Sequence, residues 1–263
     1  MAIPELQFVD CSLRDQVAYI EVGTGNPGNM MGTDTYTDLY QAVRWAASER
    51  GARVVVISGK PNFSIGGDWA AHKQRDVQSF RDHLALLFDI SLKMRTSGKP
   101  IIAMVRGRCT GGMHQLAAIC DLTIASENAV FGQHGCRTGS FPAFWGTQLL
   151  PLLVGEKRAR EIVFMSWDYT AQEALQMGLA NRVVPDDQLE AEVERWCERL
   201  KEMSPRSLRI AKTSLNYGSD QHWAAVWHAR DALAEFSGTD EWKEAIDSYL
   251  GKRPPAWLKG GEE

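Results

Sequence analysis

The chain lacks the patterns that announce most common chemistries. Its five cysteines, Cys11, Cys109, Cys120, Cys136 and Cys197, are odd in number, scattered and without a C-x-x-C pair. Neither a zinc site nor a disulfide framework is therefore expected, and a reducing cytoplasm is the simplest home. No apolar run reaches membrane-spanning length. The start, Met1-Ala2-Ile3-Pro4-Glu5-Leu6, has no basic segment followed by an apolar one, so no signal peptide is expected. No long basic run is present, and the formal net charge is −4 with a pI of about 5.9, which argues against a nucleic-acid surface. No segment fits G-x-x-x-x-G-K-[ST], G-x-S-x-G or H-E-x-x-H, and neither the Gly66-Gly67 turn nor the Gly111-Gly112 turn fits G-x-G-x-x-G. A P-loop, a Rossmann dinucleotide site, a nucleophile elbow and a zincin metal site thus lack support, and no metal is expected.

What remains is ordinary globular material. The 263 residues are 44% hydrophobic and 24% charged, enough for one sizeable core. Phe8 to Val22 reads as one or two strands, and Gly23 to Gly32 as a loop. Thr33 or Thr35 is positioned to cap a helix running to about Glu49, with Leu39, Ala42, Val43 and Ala46 on one face. Arg53 to Ser58 then reads as a buried strand, and this strand–helix–strand order predicts parallel pairing. The pattern recurs in helices near Val77–Arg95 and Met113–Cys120, strands near Ile101–Val105 and Leu122–Ala125, and an extended piece at Ala129–Gln133. An apolar helix follows near Gly146–Leu153. From Lys157 onward the chain reads as almost all helical, apart from a short extended Arg182-Val183-Val184 between Gly178 and Pro185. We expect an α/β core over residues 1–185 and a helical region over 186–263. His222, Trp223, Trp227, His228 and Phe236 crowd one stretch of that region, for packing on the core or for a subunit contact.

Two glycine-centred turns stand out. Phe63-Ser64-Ile65-Gly66-Gly67-Asp68-Trp69 follows Val54-Val55-Val56-Ile57, and Gly107-Arg108-Cys109-Thr110-Gly111-Gly112-Met113-His114-Gln115 follows Pro100-Ile101-Ile102-Ala103-Met104-Val105. Each leads from a β-branched run toward a helix, so each can present bare backbone N–H groups to a ligand oxygen. Facing one another, they would form a two-donor oxyanion hole.

These turns, with Cys120-Asp121-Leu122-Thr123-Ile124-Ala125, Phe131-Gly132-Gln133, Ala171-Gln172-Glu173-Ala174 and Gly178-Leu179-Ala180, resemble the crotonase (enoyl-CoA hydratase/isomerase) superfamily from about Val17 to Pro255. The resemblance implies a β-β-α spiral core, a helical C-terminal region that packs into a trimer or dimer of trimers, and an acyl-CoA substrate. It implies oxyanion donors at the N–H groups of Gly67 and Gly112. Asp68 reads as a helix cap and, with Ile65, Trp69, His72, Gln115, Gln133 and Gly135, as a substrate contact.

The chain also departs from that pattern. Hydratases of the family carry glutamates where this sequence has Gln115 and Gly135; an amide and a glycine cannot exchange protons as a carboxylate pair does. The run Phe131-Gly132-Gln133-His134-Gly135 with Gly139-Ser140 looks instead like dihydroxynaphthoyl-CoA synthase and 2-ketocyclohexanecarboxyl-CoA hydrolase, which make or break a C–C bond beside a thioester. Pro142 stands where that subgroup has aspartate, and Val163 where it has tryptophan. Gln133 and Gly135 keep part of the bicarbonate site of the synthases, but Val163 counts against that ion. The resemblance therefore implies no cofactor beyond the CoA thioester itself.

Ser140 is a candidate for orienting a carbonyl or water, or for capping a helix. His134 and His72 are candidates for moving protons, His114 for a buried structural role, and Cys136 for a nucleophile only if its thiolate is stabilised. Retro-Claisen opening of a cyclic β-ketoacyl-CoA is the expected reaction. Ring closure, decarboxylation, isomerisation, hydration and catalytically silent acyl-CoA binding are the alternatives.

Overall fold

The computed structural model describes residues 2–26 and 28–259. A hairpin, Val9–Arg14 (β1) and Val17–Val22 (β2), opens the chain and pairs antiparallel, Val9 opposite Val22. Helix Thr33–Ser48 (α1) crosses to Val54–Gly59 (β3), which pairs parallel with β2. The short helix Trp69–Lys73 (α2) and the long helix Val77–Thr96 (α3) lead to Ile101–Val105 (β4). Then come Arg108–Thr110 (β5), Gly112–Ile119 (α4), Leu122–Ser126 (β6) and Val130–Gly132 (β7). Helices Gly146–Val154 (α5) and Glu156–Met165 (α6) precede Asp168–Thr170 (β8), Ala171–Met177 (α7) and Arg182–Val184 (β9). Four helices close the fold: Leu189–Lys201 (α8), Pro205–Asp220 (α9), Trp223–Phe236 (α10) and Asp240–Leu250 (α11).

The main sheet has the order β1-β2-β3-β4-β6-β9 and is parallel from β2 onward. β3 and β4 are buried at every residue, as expected for parallel strands covered on both faces. Alternation decides which face each side chain serves. Val55, Ile57, Ile101, Ala103 and Val105 join the large core under α1, α3 and α4. Val54, Val56, Ile102 and Met104 pack on the other side against Leu189, Val193 and Cys197 of α8.

A second sheet, β5-β7-β8, was not foreseen. Its strands have three residues each, too few for alternation to register, and β8 falls where continuous helix was expected. Two capping expectations are also corrected. Gly32 occupies the N-cap of α1 without a side-chain bond; the Thr33 hydroxyl instead meets His83 Nδ1 at 3.0 Å and the Arg75 guanidinium. Ser140 caps no helix, because α5 begins only at Gly146 with Trp145 before it.

The aromatic C-terminal stretch packs on its own chain. Trp223 meets Trp145 edge-on, and Trp227 stacks on Phe88 of α3. α11 buries Trp242 against Phe80. Among the described residues no helix is long and apolar enough to cross a membrane.

Candidate active site

The two glycine turns are bound to each other. Ser64 N donates to Arg108 O at 2.8 Å, and Thr110 N donates to Ser64 O at 2.9 Å. The contact is so close that side chains would not fit: a Cβ on Gly111 would sit 3.2 Å from Gly66 Cα, and one on Gly66 would sit 3.3 Å from Thr110 O. Both residues also hold positive φ, +61° and +100°, which glycine adopts without steric cost.

Most N–H groups around the turns already have acceptors. Gly66 N donates to Ser64 Oγ at 2.9 Å, Gly111 N to Gly132 O at 3.2 Å, and Asp68 N to Met31 O at 3.2 Å. Gly67 and Gly112 differ. Among the described residues neither N–H has an acceptor, and Gly112 opens α4, whose first-turn donors cannot be satisfied inside the helix. Both glycines line one cleft.

The cleft has two histidine-bearing walls. On one, α2 and α3 supply Trp69, His72, Phe80 and His83. His72 is 4% exposed, and its Nδ1 is buried without a hydrogen-bond partner. Its Nε2 lies against Gly67, 2.7 Å from where a Cβ would be. Burial first, and Arg75 second, push its pKa down to about 4. His83 lies 4.9 Å away, centroid to centroid, and is pushed down to about 2, again first by burial and then by His72 and Arg75. Tyr36 of α1 completes this side; its hydroxyl would sit 2.5 Å from a Cβ on Gly112, and burial raises its pKa.

The other wall comes from the second sheet and the loop after it, with Gln133, His134, Gly135, Ser140, Phe141 and Phe144 on the cleft. His134 Nε2 is 2.9 Å from Asp168 Oδ1, and Asp168 takes two bonds from Arg108, at 2.8 and 2.9 Å. Burial lowers the His134 pKa, with Asp168 opposing it. Gly135 leaves no room for a side chain: a Cβ there would meet Phe141 Cα at 2.9 Å. The Ser140 hydroxyl makes only a long 3.4 Å bond to Phe141 O.

The remaining expected residues take distinct places. Gln115 lines the cleft, and its Oε1 accepts from Phe144 N at 2.8 Å, bracing the loop that carries Ser140. Gln133 faces the cleft but its amide is engaged, donating to Gly111 O at 3.2 Å and to His114 Nδ1 at 2.7 Å. It thereby ties the second turn to buried His114, whose pKa burial lowers to about 4. Ile65 lines the cleft and is 39% exposed. Asp68 is off the wall; it caps α2 by accepting from Ala71 N at 3.0 Å. Cys136 and Val163 also lie elsewhere, Val163 in an apolar groove with Leu150 and Phe164, and desolvation raises the Cys136 thiol.

Sequence reasoning missed Tyr36, His83, Tyr249 and Asp168. Tyr36 and His83 lie on the buried faces of α1 and α3, where spacing marks core and not chemistry. Tyr249 of α11 and Leu233 of α10 bring the C-terminal helices of the same chain onto the cleft. Among the described residues lining the cleft none is Asp or Glu, and no cluster suited to a metal ion occurs.

The chain's relatives share this architecture. An enoyl-CoA hydratase/isomerase from Xanthobacter autotrophicus Py2 is 27% identical over 95% of this chain and 100% of its own, with a TM-score of 0.82. An enoyl-CoA hydratase from Bacillus anthracis is 25% identical over 95% and 98%, with a TM-score of 0.77. An enoyl-CoA hydratase from Mycobacterium avium subsp. paratuberculosis K-10, at 22% identity over 95% and 98% and a TM-score of 0.86, shares the fold. The enoyl-CoA hydratase/isomerase family model matches residues 13–260, and the chain belongs to that family, the crotonase superfamily of acyl-CoA enzymes.

Proposed function

We propose that the cleft holds a CoA thioester with its carbonyl oxygen on the N–H groups of Gly67 and Gly112, and that the protein opens a cyclic β-ketoacyl-CoA by retro-Claisen hydrolysis. The observation that carries this reading is the pair of N–H groups, one on each glycine turn and both on residues lining one cleft, that have no acceptor among the described residues. Water adds to the ring ketone and loses a proton to His134. The C–C bond then breaks, and its electron pair becomes the thioester enolate, whose oxygen the two N–H groups stabilise. His134 returns the proton to the α-carbon, so the product is a ring-opened diacid mono-thioester. Ser140 orients the ketone, while Trp69, Phe80 and Leu84 form the apolar bed for the ring.

The names of the relatives favour a second reading, hydration or isomerisation of an enoyl-CoA. Gln115 and Gly135, together with a cleft lining that holds no Asp or Glu among the described residues, weigh against it, because water addition needs a proton-exchanging pair. Incubation with 2-ketocyclohexanecarboxyl-CoA and with crotonyl-CoA, followed by mass spectrometry, separates the two. A gain of one water with ring opening supports retro-Claisen cleavage. A hydroxyacyl-CoA from crotonyl-CoA, with the cyclic substrate untouched, overturns it.

Assembly as a trimer or dimer of trimers belongs to the same reading. Exposed Leu152, Phe164, Met165 and Trp167 offer apolar surface for it, and light scattering in solution tests it.

A further inference from the structure

The second sheet builds a feature that the glycine turns do not explain. Gly132 of β7 lies opposite Asp168 of β8 in the antiparallel register. The His134 side chain folds back over Gly132 to reach Asp168. A Cβ on Gly132 would come 2.8 Å from His134 Nε2 and 3.1 Å from Asp168 Oδ1, so the pair fits only because residue 132 has no side chain. On the far side of β7, Arg108 of β5 holds both Asp168 oxygens. The chain of groups thus begins at the cleft wall with His134 and ends at Asp168, whose side chain is 46% exposed.

We propose that Asp168, clamped by Arg108 and given room by Gly132, is a positioning residue that fixes the tautomer of His134 and links the cleft's proton carrier to solvent. The proposal rests on the enolate reading above. A carboxylate accepts but cannot donate, so it keeps the His134 proton on Nε2. Nδ1, which engages no protein group among the described residues, is left as the basic atom. It takes the substrate proton as the N–H bond forms and the donor's O–H or C–H bond breaks, and the electron pair stays with oxygen or passes to the enolate. The imidazolium so formed faces Asp168 on β8. Arg108 on β5, Arg137 in the turn after β7 and His114 on α4 also face it, and Tyr249 of α11 shares its wall. Of these charged groups only Asp168 stabilises the cation.

The test is α-proton exchange of cyclohexanecarboxyl-CoA in deuterated water across pH, which reports enolate formation without any bond to cleave. An NMR titration of the His134 ring, assigned by its loss in His134→Gln, accompanies it. In Asp168→Asn the amide can donate to Nε2 and force the proton onto Nδ1. Exchange should fall about ten- to a hundredfold with KM unchanged, and the His134 titration should move to lower pH. Gly132→Ala removes neither group but wedges them apart, and should reproduce both effects. If the wild type exchanges the proton and Asp168→Asn and Gly132→Ala match it in rate and midpoint, the positioning role is overturned while the enolate reading stands. If the wild type exchanges nothing, both fall together.

Discussion

The two histidine-bearing walls of the cleft use one side-chain type in opposite ways. On the α2–α3 wall, His72 and His83 are almost fully buried among Trp69, Phe80 and Tyr36, with the Arg75 charge acting against their protonation. Burial leaves them neutral across ordinary pH. They line the pocket beside Gly67. On the β7–β8 wall, His134 is also desolvated, but it faces a carboxylate that reaches water. A histidine can carry protons only where its charged form has a partner. Under the proposed reading, a cleft whose described lining holds no carboxylate exchanges a proton through His134, with Asp168 behind the wall on a neighbouring strand.

The largest expected effect comes from the donors that both walls serve. Proline is tolerated at the first position of a helix but has no N–H, so Gly112→Pro removes one donor while preserving α4. Turnover should fall by about 10²–10³, or roughly 3–4 kcal/mol. Gly112→Ala is the control. It keeps the N–H and places the same Cβ against the Tyr36 hydroxyl, so the gap between the two variants isolates the donor. Equal rates for the two would remove Gly112 from the oxyanion site.

Next in size is the comparison of histidines itself. His134→Gln should lower kcat by about a hundredfold and flatten its pH profile. His72→Asn should leave the pH midpoint where it was, whatever it does to KM. A midpoint that follows His72 instead would exchange the roles of the walls.

How much of this was legible depends on the range of each interaction. The glycine turns, the cap at Asp68 and the buried strands β3 and β4 are local features, and the resemblance to crotonases supplied their frame. The cap of α1 was misread because the Thr33 hydroxyl is claimed by His83, fifty residues on. Asp168 was invisible. It lies 34 residues from His134, on a three-residue strand too short to carry a pattern, and only the β5-β7-β8 pairing brings the two together. Gly132 was read as part of a family motif, whereas the fold gives its missing side chain a use. Gln115 and Gly135 were correctly seen as lacking a carboxylate, but the group that stands behind them could not be read from spacing.

Acid should damage the α2–α3 wall by a sizeable but smaller amount. Unfolded histidine titrates near its ordinary 6.5, whereas folded His72 and His83 are depressed to about 4 and about 2. Between those values the unfolded chain binds more protons than the folded one, so stability rises with pH through that window and is lost on acidification below about 6.5. Each histidine accounts for roughly 2 kcal/mol at pH 5. Denaturant melts at pH 7 and pH 5 should show this loss, and His72→Asn should recover part of it. His134→Gln should recover less, since Asp168 opposes the depression there. Equal recovery by the two variants would erase the distinction between the walls.

The smallest effect concerns how the α2 end of the α2–α3 wall is held. Asp68 caps α2 through Ala71 N, and α2 in turn holds Trp69 and His72 on the cleft. Losing that cap costs about 1 kcal/mol, so Asp68→Ala should lower the melting temperature slightly and raise KM as the helix end frays. Asparagine caps about as well as aspartate. Asp68→Asn should therefore behave like the wild type in both melting temperature and KM. A carboxylate that touched substrate would respond in the opposite pattern, with Asp68→Asn as damaging to KM as Asp68→Ala. The pair of substitutions thus distinguishes a cap that supports the wall from a group that belongs to it, and the position of Asp68 off the cleft predicts the first.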